Sequence, residues 1–104
     1  MAKDYALEKL YLASLSLASG LGDVNDRLEM AATGLSVLRP ESDIPDEFRG
    51  EFNSIWQAMT NKKAEIEGEG TIHATIRQMD PEDAKRLADR IFHLYVHLLD
   101  GNAL

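Results

Sequence analysis

Met79-Asp80-Pro81-Glu82-Asp83-Ala84-Lys85-Arg86-Leu87-Ala88-Asp89-Arg90-Ile91-Phe92-His93-Leu94-Tyr95-Val96-His97-Leu98-Leu99-Asp100-Gly101 carries both boundaries of a helix and its whole interior. Asp80 is a capping residue, and Pro81 suits the first helical position because its missing N–H would be unpaired there anyway. Glu82 and Asp83 set negative charge against the positive end of the helix dipole. Gly101 ends the helix, glycine being the residue that most easily turns left-handed after the last turn. At about 100° per residue, Ala84, Leu87, Ala88, Ile91, Leu94, Tyr95 and Leu98 form one core-facing stripe, and Phe92, Val96 and Leu99 add a second flank. The apolar arc is then roughly 200° wide, about twice what covering one core requires. A second surface is expected to meet the surplus: another copy of the chain, or, in the alternative, the other terminal helix of the same bundle, the two packing centrally and covering each other's flanks.

The first helix shows the same excess. Its pattern predicts a span from Asp4, as cap, to Ser19, with Leu7, Leu10, Tyr11, Leu17 and Ala18 facing the core. Tyr5, Leu12 and Leu15 widen the apolar surface beyond that stripe, while Ala13, Ser14 and Ser16 allow close backbone approach. Gly20 and Gly22 close the helix.

Between these two helices the chain reads as further helices. A second starts near Asp23 and spaces Val24, Leu28, Ala31, Leu35 and Leu38 at alternating steps of four and three. Gly34 inside it predicts a close helix crossing, since glycine there costs about 1 kcal/mol relative to alanine. Arg39-Pro40 stops it, because the residue before proline is pushed out of the helical region. The connector Pro40-Glu41-Ser42-Asp43-Ile44-Pro45 leads to a third helix with Phe48, Phe52, Ile55, Trp56, Met59 and Ile66 on one ordinary stripe. Asp43, Asp46 and Glu47 cluster at its amino end, where negative charge is favoured. Glu67-Gly68-Glu69-Gly70 is a break. Thr71 to Met79 fits either a short helix or a strand, and the helix is favoured because a lone strand would have no partner. The expectation is an all-α, single-domain chain over residues 1–104: an antiparallel helical bundle of four main helices with one short extra helix near residues 71–78.

Composition narrows the function classes. With no cysteine there is no disulfide, no thiol nucleophile and no cysteine-ligated metal, and a reducing compartment fits best. Met1-Ala2-Lys3-Asp4-Tyr5 lacks a basic leader followed by an unbroken apolar block, and Leu10 to Ala18 is too short to cross a membrane, so a cytoplasmic protein is expected. Eighteen acidic against eleven scattered basic residues give a formal charge of -7, which repels phosphate backbones and excludes nucleic acid as the expected partner.

Site motifs are few. His93 and His97, one turn apart with Asp89 and Asp100 near the same line, have the spacing for chelating zinc, nickel or copper. The glutamate a metalloprotease places after its first histidine is absent, Leu94 standing there. Arg90 and His97, seven apart on one face, resemble the arginine and histidine pair of the HEPN ribonucleases. Ile91 replaces the polar residue that follows the arginine in that family, and the chain is not assigned to it on this pair. Glu-x-x-His steps of di-iron bundles, an EF-hand loop and phosphate-binding glycine loops are all missing. His73, next to the glycine break, reads as an exposed residue, and Trp56 as a core anchor.

These readings point to a small non-catalytic protein with an adaptor or regulatory role, acting through protein–protein contacts as a homodimer, with no cofactor. The expected interface is Tyr5, Leu12, Leu15, Phe92, Val96 and Leu99. The alternative is a small metal-binding protein or enzyme using His93 and His97 with Arg90, Asp89 or Asp100.

Overall fold

The computed structural model describes residues 2–63 and 70–101. Six helices lie among them: α1 Ala2–Ser19, α2 Val24–Leu35, α3 Pro40–Asp43, α4 Asp46–Thr60, α5 Thr71–Arg77 and α6 Pro81–Asp100. No strand occurs among the described residues, so the fold class is all-α. No described helix is long and apolar enough to cross a membrane.

The boundaries of α6 are those its sequence dictates. The Asp80 carboxylate accepts from the Glu82 N–H at 2.9 Å, Pro81 opens the helix, and Gly101 ends it at φ 79°. Ala84, Leu87, Ile91, Leu94 and Leu98 are buried, with Ala88 and Tyr95 half-buried beside them. The ambiguous stretch at 71–79 folds as the short helix α5. Ala74, Thr75 and Ile76 are its buried residues, and Gly70 precedes it at φ 80°.

In α1 the core stripe is not the expected one. Ala6, Leu10 and Ala13 are buried, Leu7 and Leu17 are partly buried, Ala18 is exposed, and Tyr11 is 51% exposed. The helix is thus turned by about 60° from the orientation its larger side chains suggest, at about 100° per residue. Two alanines, Ala6 and Ala13, stand on the inner face that packs on α2 and α6, where small side chains permit close approach of the helices.

α2 begins with reciprocal capping by Asp23 and Asp26: each side chain accepts from the other residue's backbone N–H, at 2.9 and 3.3 Å. It stops at Leu35, three residues before the expected end. The Ser36 hydroxyl and N–H both bond back to the Thr33 carbonyl, at 2.6 and 3.3 Å, and compete with continued helix. Leu38 reaches the core from outside the helix, 7% exposed. Gly34 makes no close crossing: it is exposed, and a Cβ there would meet nothing within 4 Å.

The expected connector contains α3, one helical turn opened by Pro40. Asp43 serves this turn by accepting from the Arg39 N–H at 2.8 Å, while Asp46 and Glu47 lie in the first turn of α4. Arg49 ties the corner together, donating from Nε to the Pro40 and Ile44 carbonyls at 2.7 Å each, from Nη2 to the Glu41 carbonyl at 2.9 Å, and from Nη1 to Asp46. Phe48, Phe52, Ile55 and Met59 are the buried stripe of α4, and the Trp56 ring stacks 6.2 Å from that of Phe52. Ile66, Glu67, Gly68 and Glu69, read above as the end of this stripe and the break after it, lie outside the described residues.

α1 packs on α2 and α6, α2 also on α5 and α6, and α4 on α5 and α6. One cluster of buried side chains draws on all five of these helices. The radius of gyration, 13.2 Å, matches the roughly 13 Å of a compact chain of about 100 residues.

Candidate functional site

Tyr5, Leu12, Leu15, Phe92 and Leu99 remain 39, 44, 47, 49 and 55% exposed, and Val96 is half-buried. The inner face of α1 is centred between Leu10 and Ala13, so its outer face is centred near Leu15, with Tyr11 about 40° to one side and Leu12 about 60° to the other by helical spacing. Tyr11 lies on the side toward α6, where its ring is 6.2 Å from that of Tyr95. On α6, Leu99 and Phe92 follow Tyr95 at about 40° and 60°, away from the core stripe. Leu12, Leu15, Tyr11, Leu99 and Phe92 therefore make one outward arc across the two helices.

Tyr5 stands on the opposite shoulder of α1, about 120° from Tyr11, with the Lys9 ammonium 5.4 Å from its ring centre. Val96 points almost directly away from the core stripe of α6, beyond Phe92. Tyr11 is the member of the arc that the sequence pattern assigned to the core. The signal for its true place is the spacing Ala6, Leu10, Ala13, Leu17, which is a regular inner stripe once small residues are weighted as packing surface.

Exposure of this extent is notable because the apolar patches of soluble monomers are usually limited to a few hundred Å2. Water-facing tyrosines keep a polar tip for hydration, so the arc is soluble enough to be displayed and apolar enough to be covered.

The histidines make a separate ridge. His93 is exposed, and its Nδ1 donates to the Asp89 carbonyl at 2.7 Å, a contact one turn back along its own helix. The His97 ring is 6.2 Å from it, with its Nδ1 buried and bonded to no described residue. Asp89 pairs with Lys85 at 3.3 Å, and Arg90 donates from Nη2 to the Ser54 hydroxyl on α4 at 3.0 Å. Among the described residues no group of three or more His, Asp or Glu side chains is placed to hold a metal ion. The two histidines therefore come together with each other but not with a third ligand.

His73 has a partner far away in sequence: its Nδ1 donates to the Glu29 carboxylate at 2.9 Å, joining α5 to α2. Asn25 makes a second tie from α2 with two bonds, its amide donating to the Ile76 and Met79 carbonyls at 3.0 and 2.9 Å. Both contacts are structural ties and neither adjoins the apolar arc by chain position.

No family model, no curated protein and no solved structure matches this chain.

Proposed function

We propose that the protein is a non-catalytic interaction module that self-associates as a homodimer through the surplus apolar surface of α1 and α6. The observation that carries this reading is the exposure of Tyr11, Leu12, Leu15, Phe92 and Leu99, between 44 and 55%, on one arc of two adjacent helices. Left bare, such a surface is an aggregation liability, and a two-fold dimer is the simplest assembly that covers it. A stable interface buries about 800 Å2 per partner, roughly an eighth of the 6187 Å2 that this chain exposes. Leu15 and Phe92 form its centre, with Tyr5 and Val96 at its margins.

The bundle supplies a firm base for this surface. In the proposed arrangement the four longer helices α1, α2, α4 and α6 run antiparallel to their neighbours, with α5 as the short extra piece. Two contacts support that for the helices bearing the arc: Tyr11 meets Tyr95 near the middle, and a Cβ at Gly101 would lie 3.8 Å from the Lys3 ammonium at the end. The role that follows is adaptor or regulatory, in a reducing cytoplasm, with a second copy as the first partner.

Light scattering on the full chain at micromolar concentration tests the reading. Twice the chain mass is expected; the mass of one chain across the whole range would reject it.

A further inference from the structure

A cavity of about 610 Å3 opens where the end of α4, α5 and the first turns of α6 meet, bounded on its apolar side by Ala58, Met79 and Leu87. Small-molecule sites span roughly 300–1,000 Å3 and combine an apolar wall with a few polar groups. Lys62, Arg86 and Arg90 line it from the polar side, together with Asp80 and Asp83. Arg86 is offset by Asp83 and by Glu82, 3.9 Å away, which leaves Lys62 and Arg90 as the cations of the lining without a carboxylate partner among the described residues.

The internal partners of these groups decide which remain open to a ligand. Asp83 accepts from Arg86 at 2.7 Å, and Asp80 accepts from the Glu82 N–H at 2.9 Å as the cap of α6. Lys62 and Arg90 are different: no carboxylate pairs with either among the described residues, and Arg90 makes its side-chain hydrogen bond to the neutral Ser54 hydroxyl at 3.0 Å. An arginine carries five N–H donors, so most of that guanidinium is unused. The backbone presenting Lys62 is held in place, because its N–H donates at 2.9 Å to the Thr75 hydroxyl and Thr75 is only 3% exposed.

We infer that this cavity binds a small organic monocarboxylate, its anionic head on Arg90 and Lys62 and its hydrocarbon body against Leu87, Met79 and Ala58. A single negative charge suits the site better than a phosphate, since a second charge would meet the nearby Asp80 and Asp83 with fewer open cations to offset it. The apolar wall favours an acid with a carbon chain over an inorganic anion. This inference is independent of the dimer.

The test is titration of the full-length protein followed by amide NMR shifts, with hexanoate, hexylamine and inorganic phosphate as probes. Hexanoate should give saturable shifts at Asn61, Lys62, Thr75 and Leu87 with a dissociation constant of about 1 mM or tighter; hexylamine and phosphate should not saturate. The double variant Lys62→Gln/Arg90→Gln should bind hexanoate at least tenfold more weakly while keeping its circular dichroism. Should that variant unfold, the exposed single change Lys62→Gln decides, with a weakening of threefold or more expected. No saturation with hexanoate, equal binding of hexylamine or phosphate, or undiminished binding by the folded variant would each overturn the assignment.

Discussion

Asn25 ties the end of α5 to α2. Its amide donates to the carbonyls of Ile76 and Met79, at the point where a helix runs out of internal donors, and the Ile76 carbonyl also accepts from the Met79 N–H at 3.1 Å. Asn25→Ala leaves both without that donor and should lower stability by about 1–3 kcal/mol in urea unfolding, the cost of part-buried polar groups losing a partner. The opposite sign is expected at two glycines. Gly34 and Gly50 lie in helices, and a Cβ at either would meet nothing within 4 Å. Gly34→Ala and Gly50→Ala should each stabilise the protein by about 0.5–1 kcal/mol, by removing the backbone freedom that glycine loses on folding. A loss of stability at Gly34 would restore the close crossing that its position in the sequence suggests. Such residue-scale ties are invisible in a periodicity: Asn25 and His73 act across fifty-odd and forty-odd residues of chain, and only folding brings their partners near.

The elements differ in how much of themselves they announce. α6 was fully legible because every device that starts, faces and ends a helix is local: Asp80, Pro81, the stripe from Ala84 to Leu98, and Gly101. α5 was legible as a helix only through the absence of a second strand, since Ile72, Ala74 and Ile76 alternate as a strand would. α1 was legible as a helix but not in its orientation, because hydrophobic size points to Leu7 and Tyr11 while packing selects Ala6 and Ala13, 0 and 3% exposed. Ala13→Leu should consequently overpack the inner face and cost about 1–3 kcal/mol, measured by the same unfolding experiment. The end of α2 was misplaced because Arg39-Pro40 sets a limit, whereas the Ser36 contacts to Thr33 set the actual stop. The cavity beside α4, α5 and α6 had no sequence signature, as Lys62 and Arg90 are separated by a whole helix and meet only around a shared wall.

At the scale of the whole molecule, a strongly acidic chain displays an apolar arc that one interior does not use. Two copies at -7 each repel, so association driven by that arc should tighten as salt rises from about 0.05 to 0.5 M, within which the Debye length falls to a few ångströms. Weakening with salt would instead place ion pairs at the centre of the contact. The width of the apolar surface on α1 and α6 was readable from composition by position, whereas the continuity of the arc depends on Tyr11 turning outward beside Tyr95. Sedimentation equilibrium of the natural chain and of Leu15→Asp/Phe92→Asp, with helicity followed by circular dichroism, tests the central claim most directly. The account predicts a dimer for the first and a helical monomer for the second; a monomeric natural chain, or a variant that stays dimeric or loses its fold, would contradict it.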